Sequence, residues 1–479
     1  MLHPIDNGII FAYLALMIAI GLYASRRQNS VEEFFVAGGK LGTFSIACLW
    51  LASWVGGAAI VGGTAKTYEF GISGGWYIAC MVIGCLLFGL FFATRVKRSG
   101  NEHGLLTYPD LIEIRYDSRT RIVATLTTII AYVGFSAGQL AAAGAILSNL
   151  LGWDFSSSLL LASSIIVAYT ATGGYLAVAY TDYVQFTLLF VGIVIVGIPV
   201  AVLHGGTPAA LVTQLPAAHF NPTNWGVATM LALGISMPMS FFVSMDNFTR
   251  IFAARDEVVA KRGTLIAAIF LVPLAIGSVW LGLTAALLYP GVENSGDILS
   301  RLVMDIFPVG LKGLMLVGIL AALMSTADIC ILTAAANGSR DIYQRYVNPD
   351  VEPQKLFRIS MILAAAVGVA SALMAWRMQD VVNILLIAFT INGATLFVPT
   401  IAMLYMKKVN SVAAFWSIAL ALPTVIAWYA ASAMNIAPIF DLDPLWPGLL
   451  VSIVSFFGIS LTTSRTELRE HDKVRRYDS

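Results

Sequence analysis

Uncharged apolar runs of about 20 residues recur along the whole chain, and they limit its fold more than any other feature. A helix of that length spans the hydrocarbon core of a bilayer, which is roughly 30 Å thick. The 479 residues are 58% hydrophobic and 11% charged, whereas soluble domains carry about 25% charged residues. The polar residues are too few to cover a surface in water. We therefore predict an all-α polytopic membrane protein embedded in a lipid bilayer.

The apolar runs predict about 13 transmembrane helices, and the loops between them indicate their orientation. The predicted helices cover residues 8–25, 41–67, 73–96, 121–152, 157–174, 180–204, 224–252, 262–289, 308–340, 356–376, 380–405, 411–433 and 444–464. Lys and Arg cluster in alternate loops and are almost absent from the loops at 152–156, 204–221, 290–297 and 435–444. Because basic residues favour the cytoplasmic side, we expect a cell (inner) membrane protein with its N-terminus outside and its C-terminus in the cytoplasm.

The titratable residues do not form a pattern typical of an enzyme. The five histidines lie in predicted loops or tails, and the chain contains no HExxH motif or Ser–His arrangement. The four cysteines lie in apolar runs without the spacing of a zinc site. The net charge is +1, and no long basic run is present. We predict that the protein is not an enzyme and has neither an organic cofactor nor a nucleic-acid partner.

Glycine and proline interrupt two of the predicted helices at membrane depth. The second helix contains Gly56-Gly57 and Gly62-Gly63, and the seventh contains Gly234 and Pro238. Irregular backbone at this depth is tolerated where it is buried or lines a cavity. Paired interruptions in two halves of a chain are typical of transporters built from inverted repeats.

The spacing of five helices between the two interruptions predicts a five-plus-five inverted repeat. We expect one helix before the repeats and two helices after them. The predicted units are an N-terminal helix and cytoplasmic loop at 1–40, the first repeat at 41–204, the second repeat at 205–409, two C-terminal helices at 410–464 and a cytoplasmic tail at 465–479.

The ninth predicted helix carries polar residues in an otherwise apolar run. Asp328 is the only charged residue between positions 313 and 339, and Ser325 and Thr326 precede it. Hydroxyl and carbonyl oxygens suit a hard alkali cation, and a carboxylate at this depth usually marks an ion path. The carbonyls freed by the break in the second helix, those of Ala52 and Val55, would complete such a site. Alternatively, the two hydroxyls bond to carbonyls of their own helix.

Three segments resemble the sodium/solute symporter family of sodium-coupled carriers. They are ASWVGGAAIVGGTAKTYEFG at 52–71, VAYTDYVQ at 178–185 and LAALMSTADICILTAAANGSRDIY at 320–343. The resemblance extends over essentially the whole chain. It implies the leucine-transporter architecture, alternating access and cotransport with sodium as the coupling ion.

The resemblance also implies a set of sodium ligands. These are the carbonyl oxygens of Ala52, Val55 and Ala322 and the hydroxyl oxygens of Ser325 and Thr326.

Asp182 matches an aspartate that binds a second sodium in some members of the family. Those members have serines in the ninth helix where this chain has Asp328. Asp182 and Asp328 therefore form a candidate site for a second cation or for a proton.

The solute site is expected between the break in the second helix and the third, fourth and seventh helices. The candidate solute-binding residues are Trp54, Gly57, Tyr77, Gln139 and Ser244. Trp54 resembles one wall of the aromatic cage in choline carriers, but the other walls have no counterpart here. Asp246 could face a cation, but because Arg250 follows it we rather expect it near the cytoplasmic mouth.

These features predict a sodium-coupled symporter that imports a small polar organic solute by alternating access. Its partners would be the solute, sodium and the bilayer. One alternative is a proton-coupled symporter of the same fold that uses Asp182 and Asp328. An ion channel is a second alternative, of a different functional class.

Overall fold

A computed structural model describes residues 2–27, 30–292, 295–378, 381–434 and 436–463, apart from the side-chain surroundings of residues 57, 58, 149, 232, 381–383, 386, 438 and 441. The predicted tail at 465–479 lies outside the described residues. The described chain is helical, with one isolated β-bridge between Leu41 and Ala254.

The α-helices are numbered here in chain order. They are α1 (Pro4–Ser25), α2 (Val31–Val36), α3 (Thr43–Trp54), α4 (Gly57–Phe70), α5 (Trp76–Leu87), α6 (Ala93–His103), α7 (Tyr108–Arg115), α8 (Ser118–Leu151), α9 (Phe155–Phe190), α10 (Ile198–Leu203), α11 (Pro208–Gln214), α12 (Val227–Val243), α13 (Met245–Ala253), α14 (Glu257–Leu288), α15 (Ile298–Ile306), α16 (Leu311–Ala336), α17 (Pro353–Arg377), α18 (Val381–Tyr405), α19 (Ser411–Ala433) and α20 (Leu445–Thr462). Short π-helical segments continue α5 into α6 and α9 into α10, and another extends α16 to Val347.

Ten helical segments of the described chain are long and apolar enough to cross a membrane, or eleven if the bent pair α12–α13 counts as one span. Two of the ten, Ala59–His103 and Phe155–Leu203, have 45 and 49 residues. At 1.5 Å per residue these segments are about twice the length of a single crossing. The protein is therefore a multi-pass membrane protein, and the number 13 stays a prediction, as do the boundaries of the two repeats.

Both helices with predicted interruptions are broken, although Gly62-Gly63 lie inside the continuous helix α4. The second predicted helix stops at Trp54 and resumes at Gly57, with Gly56 in an extended conformation between the two parts (φ −49°, ψ 170°). The seventh bends by 48° between α12 and α13. This bend lies at Ser244, six residues beyond Pro238, which is accommodated inside α12.

Helix α16 lies at the centre of the molecule. In the apolar stretch of the segment Leu311–Val347, 89% of the residues are buried, compared with 22% for Leu445–Thr462. Helices α1, α3, α8, α9 and α17 pack against α16. The polar residues of α16 are therefore held inside the bundle, away from lipid.

Candidate functional site

Two neighbouring hydroxyls of α16 contact the broken end of α3. The Ser325 hydroxyl donates to the carbonyl of Ala52 at 2.8 Å, and the Thr326 hydroxyl donates to the carbonyl of Ser53 at 2.7 Å. Both hydroxyls also lie 3.1 Å from the carbonyl oxygen of Ala322 in their own helix. Five uncharged oxygens from two helices therefore converge.

The break in the second predicted helix makes this convergence possible. The last carbonyls of a helix have no partner within it, and Ala52 and Ser53 lie in the last turn of α3. Gly56 lets α16 approach closely, because a Cβ atom at this position would lie 2.5 Å from the Thr326 hydroxyl oxygen.

The structure pairs the hydroxyls with a slightly different set of carbonyls from the predicted one. Ala52, Ala322, Ser325 and Thr326 come together as the sequence analysis expects. The carbonyl facing Thr326 belongs to Ser53, which the sequence analysis missed. Thr326 follows Ser325 by one residue and contacts the carbonyl that follows that of Ala52 along α3. Val55 is buried at the end of α3, with its N–H bonded to the Leu51 carbonyl at 3.3 Å.

The two predicted roles of the hydroxyls are both compatible with this geometry. Each hydroxyl contacts the Ala322 carbonyl of its own helix and a carbonyl of α3. Five hard oxygens in one buried place match the preference of an alkali cation. In that case the hydroxyl hydrogens would turn away and the oxygens would face the cation.

Asp182 and Asp328 lie together in the interior, between α9 and α16. Both are fully buried, and they are within electrostatic range of each other. The Tyr169 hydroxyl donates to one oxygen of Asp328 at 2.8 Å. The other Asp328 oxygen and both Asp182 oxygens have no hydrogen-bond partner among the described residues. The sequence did not point to Tyr169, because this residue is not part of a recognisable motif.

A cavity of about 60 Å³ lies beside the break in the second predicted helix. Four of the predicted solute-binding residues line it, namely Trp54, Tyr77, Gln139 and Ser244. The surroundings of the fifth, Gly57, lie outside the described residues. Thr326 also lines the cavity, so the cavity and the oxygen cluster have a wall in common.

Aromatic residues form much of the remaining cavity wall. Sequence reasoning missed Tyr132, Phe135 and Phe389, which line the cavity beside Trp54 and Tyr77. Phe135 has its ring centroid 5.5 Å from that of Tyr132 and 4.6 Å from that of Phe389. Tyr132 and Phe135 are three residues apart on α8 and therefore share a helix face.

Asp246 lines the cavity, whereas the sequence analysis expects it near the cytoplasmic mouth. One of its carboxylate oxygens pairs with Arg250 at 2.7 Å, and the other accepts from the Tyr132 hydroxyl at 2.5 Å. The bend at Ser244 explains this position, because it turns the first residues of α13 towards the cavity.

Trp54 connects the two broken helices. Its indole N–H donates to the side-chain oxygen of Asn247 at 2.7 Å, and the same oxygen accepts from Arg250 at 2.5 Å. One face of the indole stacks on Phe241 with 3.6 Å between ring centroids. Trp54 therefore offers the cavity only the part of its ring that Phe241 leaves uncovered.

Known proteins similar to this chain include several transporters. The sequence profile of the sodium:solute symporter family matches residues 34–420. The high-affinity proline transporter PutP of Bacillus subtilis is 23% identical, over 96% of this chain and 99% of that protein. The sodium/pantothenate symporter of Escherichia coli is 24% identical, with 94% and 96% covered. High-affinity choline transporter 1 of Caenorhabditis elegans is 27% identical, with 84% and 74% covered.

Solved structures share the fold. A Na⁺-coupled sialic acid symporter in a substrate-bound outward-open state superposes with a TM-score of 0.82 at 21% identity, over 97% of this chain and 100% of that chain. The nucleobase-cation-symport-1 family transporter Mhp1 superposes with a TM-score of 0.53 at 17% identity, over 90% and 95%.

Proposed function

The chain belongs to the sodium:solute symporter family, and we propose that the oxygen cluster between α3 and α16 holds the sodium ion. Sodium-coupled solute symport is the activity of this family, and its members are transporters, not enzymes. The proposed ligands are the carbonyls of Ala52, Val55 and Ala322 and the hydroxyls of Ser325 and Thr326, and the Ser53 carbonyl is added to this set.

The contacts of Thr326 carry the proposal. Its hydroxyl reaches carbonyls of both α3 and α16, and its side chain also lines the cavity. Sodium at this point would draw two helices together beside the solute. Coupling between two binding sites is reciprocal, so sodium raises the affinity for the solute by the same factor as the solute raises the affinity for sodium.

The cavity is the proposed solute site, with Trp54, Gly57, Tyr77, Gln139 and Ser244 as its proposed contacts. A small polar organic solute would enter from outside and leave to the cytoplasm by alternating access. The relatives carry proline, pantothenate or choline according to their names, and these differ too much to identify the solute here.

Asp182 and Asp328 are proposed as a site for a second cation, with a proton as the alternative occupant. Three of their four carboxylate oxygens have no hydrogen-bond partner among the described residues. Ionised carboxylates in such a position are costly unless a positive charge balances them. Counting sodium ions and protons per solute in proteoliposomes separates the two occupants.

Sodium-dependent uptake in proteoliposomes tests the first site. Ser325→Ala or Thr326→Ala should raise the sodium concentration for half-maximal uptake about tenfold or more, since a hydrogen bond or ligand to a charged group contributes about 1.5–3 kcal/mol. Thr264→Ala is the matched control, because its buried hydroxyl bonds only to the Ala260 carbonyl of its own helix in the described chain. Equal sodium dependence in all three variants would refute the assignment.

A further inference from the structure

We propose that the solute carries a protonated amine with at least one N–H group, which binds Asp246, and that Gln139 is a second acceptor. This inference rests on the proposed function, in that it takes the cavity to be the solute site. It goes further because it gives the chemistry of the part of the solute that the cavity recognises.

Asp246 has unused capacity to accept hydrogen bonds inside the cavity. An ionised carboxylate offers about four acceptor positions. The described structure assigns two of them, one to Arg250 and one to the Tyr132 hydroxyl. Asp246 is only 7% exposed yet contributes to the cavity wall. A ligand in the cavity can therefore use the acceptor positions that Arg250 and Tyr132 leave open.

The charge around the cavity favours a cation. Arg250 is the positive group nearest to Asp246, but it also lies within electrostatic range of Asp182 and Asp328. Arg250 pairs with Asp246 and balances its charge when Asp182 and Asp328 hold a cation or a proton. Asp246 is still the charged residue on the described cavity wall, which includes no Lys or Arg. A ligand in the cavity therefore meets a carboxylate and no positive side chain, and fixed charge in a low-dielectric cleft attracts a ligand of the opposite sign.

Gln139 supplies an acceptor that has no partner. Its side-chain oxygen is buried and receives no hydrogen bond from any described residue. An unsatisfied buried acceptor is unfavourable, so a ligand that donates a hydrogen bond to Gln139 binds more tightly. Gln139 lies seven residues after Tyr132 on α8, or about 10 Å along the helix axis at 1.5 Å per residue. The Gln139 backbone is therefore about two helical turns from that of Tyr132, and the side chains of Gln139 and Asp246 line the same cavity.

The aromatic wall suits the same ligand. Trp54, Tyr77, Tyr132, Phe135 and Phe389 line the cavity, and the faces of aromatic rings attract ammonium groups. Rings alone would also accept a quaternary ammonium. A carboxylate and an amide oxygen favour an amine that can donate, because charge-assisted hydrogen bonds are the stronger ones. The combination therefore selects an amine with N–H groups over its fully methylated analogue.

Four probes of similar shape test this inference on the purified full-length protein. They are pyrrolidine, proline, N,N-dimethylpyrrolidinium and tetrahydrofuran-2-carboxylate, and the measurement is the shift in thermal stability with and without sodium. We expect pyrrolidine or proline to give a sodium-dependent shift at a concentration at least tenfold lower than the other two. A response to proline alone would mean that the solute also carries a carboxylate. The inference is wrong if neither N–H amine responds, or if either of the other probes responds as well as they do.

Two variants link the selectivity to the named residues. Gln139→Leu should weaken amine binding about fivefold or more without changing sodium binding in the absence of solute. The double variant Asp246→Asn with Arg250→Met should weaken amine binding at least tenfold. Both residues are changed together because a single change would leave a buried charge unpaired. Asp350→Asn, on an exposed loop, is the control. Amine binding unchanged in both test variants would overturn the inference.

Different results would contradict the amine inference and the proposed sodium-coupled function. A sodium-dependent response to tetrahydrofuran-2-carboxylate alone, lost in Ser325→Ala, would overturn the amine inference and leave the sodium site standing. Responses to the probes that ignore sodium, in the parent and in Ser325→Ala alike, would refute the proposed function.

Discussion

At the scale of single residues, the oxygen cluster can form because Gly56 has no Cβ atom. The Thr326 hydroxyl occupies the space where a Cβ at this position would lie. The backbone of Gly56 has a negative φ of −49°, so a side chain is excluded by contact and not by backbone strain.

Gly56→Ala should therefore weaken sodium binding. A Cβ 2.5 Å from the Thr326 hydroxyl oxygen would push α16 away from α3 and separate the proposed ligands. We expect the sodium concentration for half-maximal uptake to rise about tenfold or more, which corresponds to about 1.4 kcal/mol or more. Gly62→Ala is the matched control in α4, since its Cβ would meet Tyr77 at an ordinary 4.0 Å. If the two variants behave alike, the close approach at Gly56 has no role in sodium binding.

Much of this cluster could be predicted from the sequence, because hydroxyls in an apolar helix and glycines in another are local signals. The choice of Ser53 as the partner of Thr326 depends on the rotation of one helix against the other, which no local pattern encodes. The same limit applies to Asp246. Its nearness in sequence to Arg250 suggests a position at the cytoplasmic mouth, whereas its place on the cavity wall follows from the bend at Ser244.

At the scale of helices, a third interruption lies in α9. Gly174 has φ 49° and ψ −153° inside the segment Phe155–Phe190, a conformation that is essentially restricted to glycine. The sequence predicts two separate helices with a loop near this point. The sequence does not show that the kink lies at one glycine, because a Gly173-Gly174 pair is also typical of a helix-packing contact.

Gly174→Ala should destabilise the protein by about 1–3 kcal/mol, the cost of holding a non-glycine residue in such a region. The measurement is the thermal denaturation temperature of purified protein in detergent. Gly458→Ala in α20 is the control, because its Cβ would meet nothing within 4 Å and alanine favours a helix. A denaturation temperature that falls equally in both variants would show that the conformation at Gly174 is not under strain.

A buried ionic cluster joins α7 and α8 to the end of the segment that contains α16. Arg121, with 3% of its side chain exposed, pairs with Asp110 at 2.8 Å, with Glu113 at 2.5 Å and with Asp341. Burial raises the pKa of Asp110, but Arg340 and Arg121 lower it more, and the net pKa lies below its ordinary value. The pKa of Glu113 is also lowered, because Ser118 and Arg121 outweigh the effect of burial.

The protein should lose stability in acid as Asp110 and Glu113 are protonated. Groups with a lowered pKa contribute stability that is present above their unfolded values, about 3.9 for Asp and 4.3 for Glu, and lose it as the pH falls through the lower, folded values. We expect denaturation temperatures to fall below about pH 4 and Glu113→Gln to make the fall shallower. Asp350→Asn should leave the pH profile unchanged. An identical profile for Glu113→Gln would exclude this cluster as a cause.

At the scale of the whole molecule, the number of crossings and the orientation are linked. The segment Phe155–Leu203 has 49 residues and contains the interruption at Gly174. If it crosses once, the loops before and after it lie on opposite sides of the membrane. If it crosses twice, as the count of 13 requires, both loops lie on the same side. The basic residues predict that this side is the outside.

Cysteines introduced at three exposed positions test both points at once. Trp153→Cys and Ala217→Cys lie before and after the segment, and Asp350→Cys lies in a basic loop. The four native cysteines are buried, so they should react little with a membrane-impermeant thiol reagent. We expect labelling of intact cells at positions 153 and 217, and labelling at 350 only after permeabilisation. Labelling of positions 153 and 217 from opposite sides would mean that the segment crosses the membrane once. Labelling of position 350 alone in intact cells would mean that the orientation of the protein is the reverse of the predicted one. With the second result the sodium gradient would still drive the solute inward, but the solute would pass the cavity from the opposite end of the molecule. The sodium cluster would be unchanged, since it depends only on how α3 meets α16.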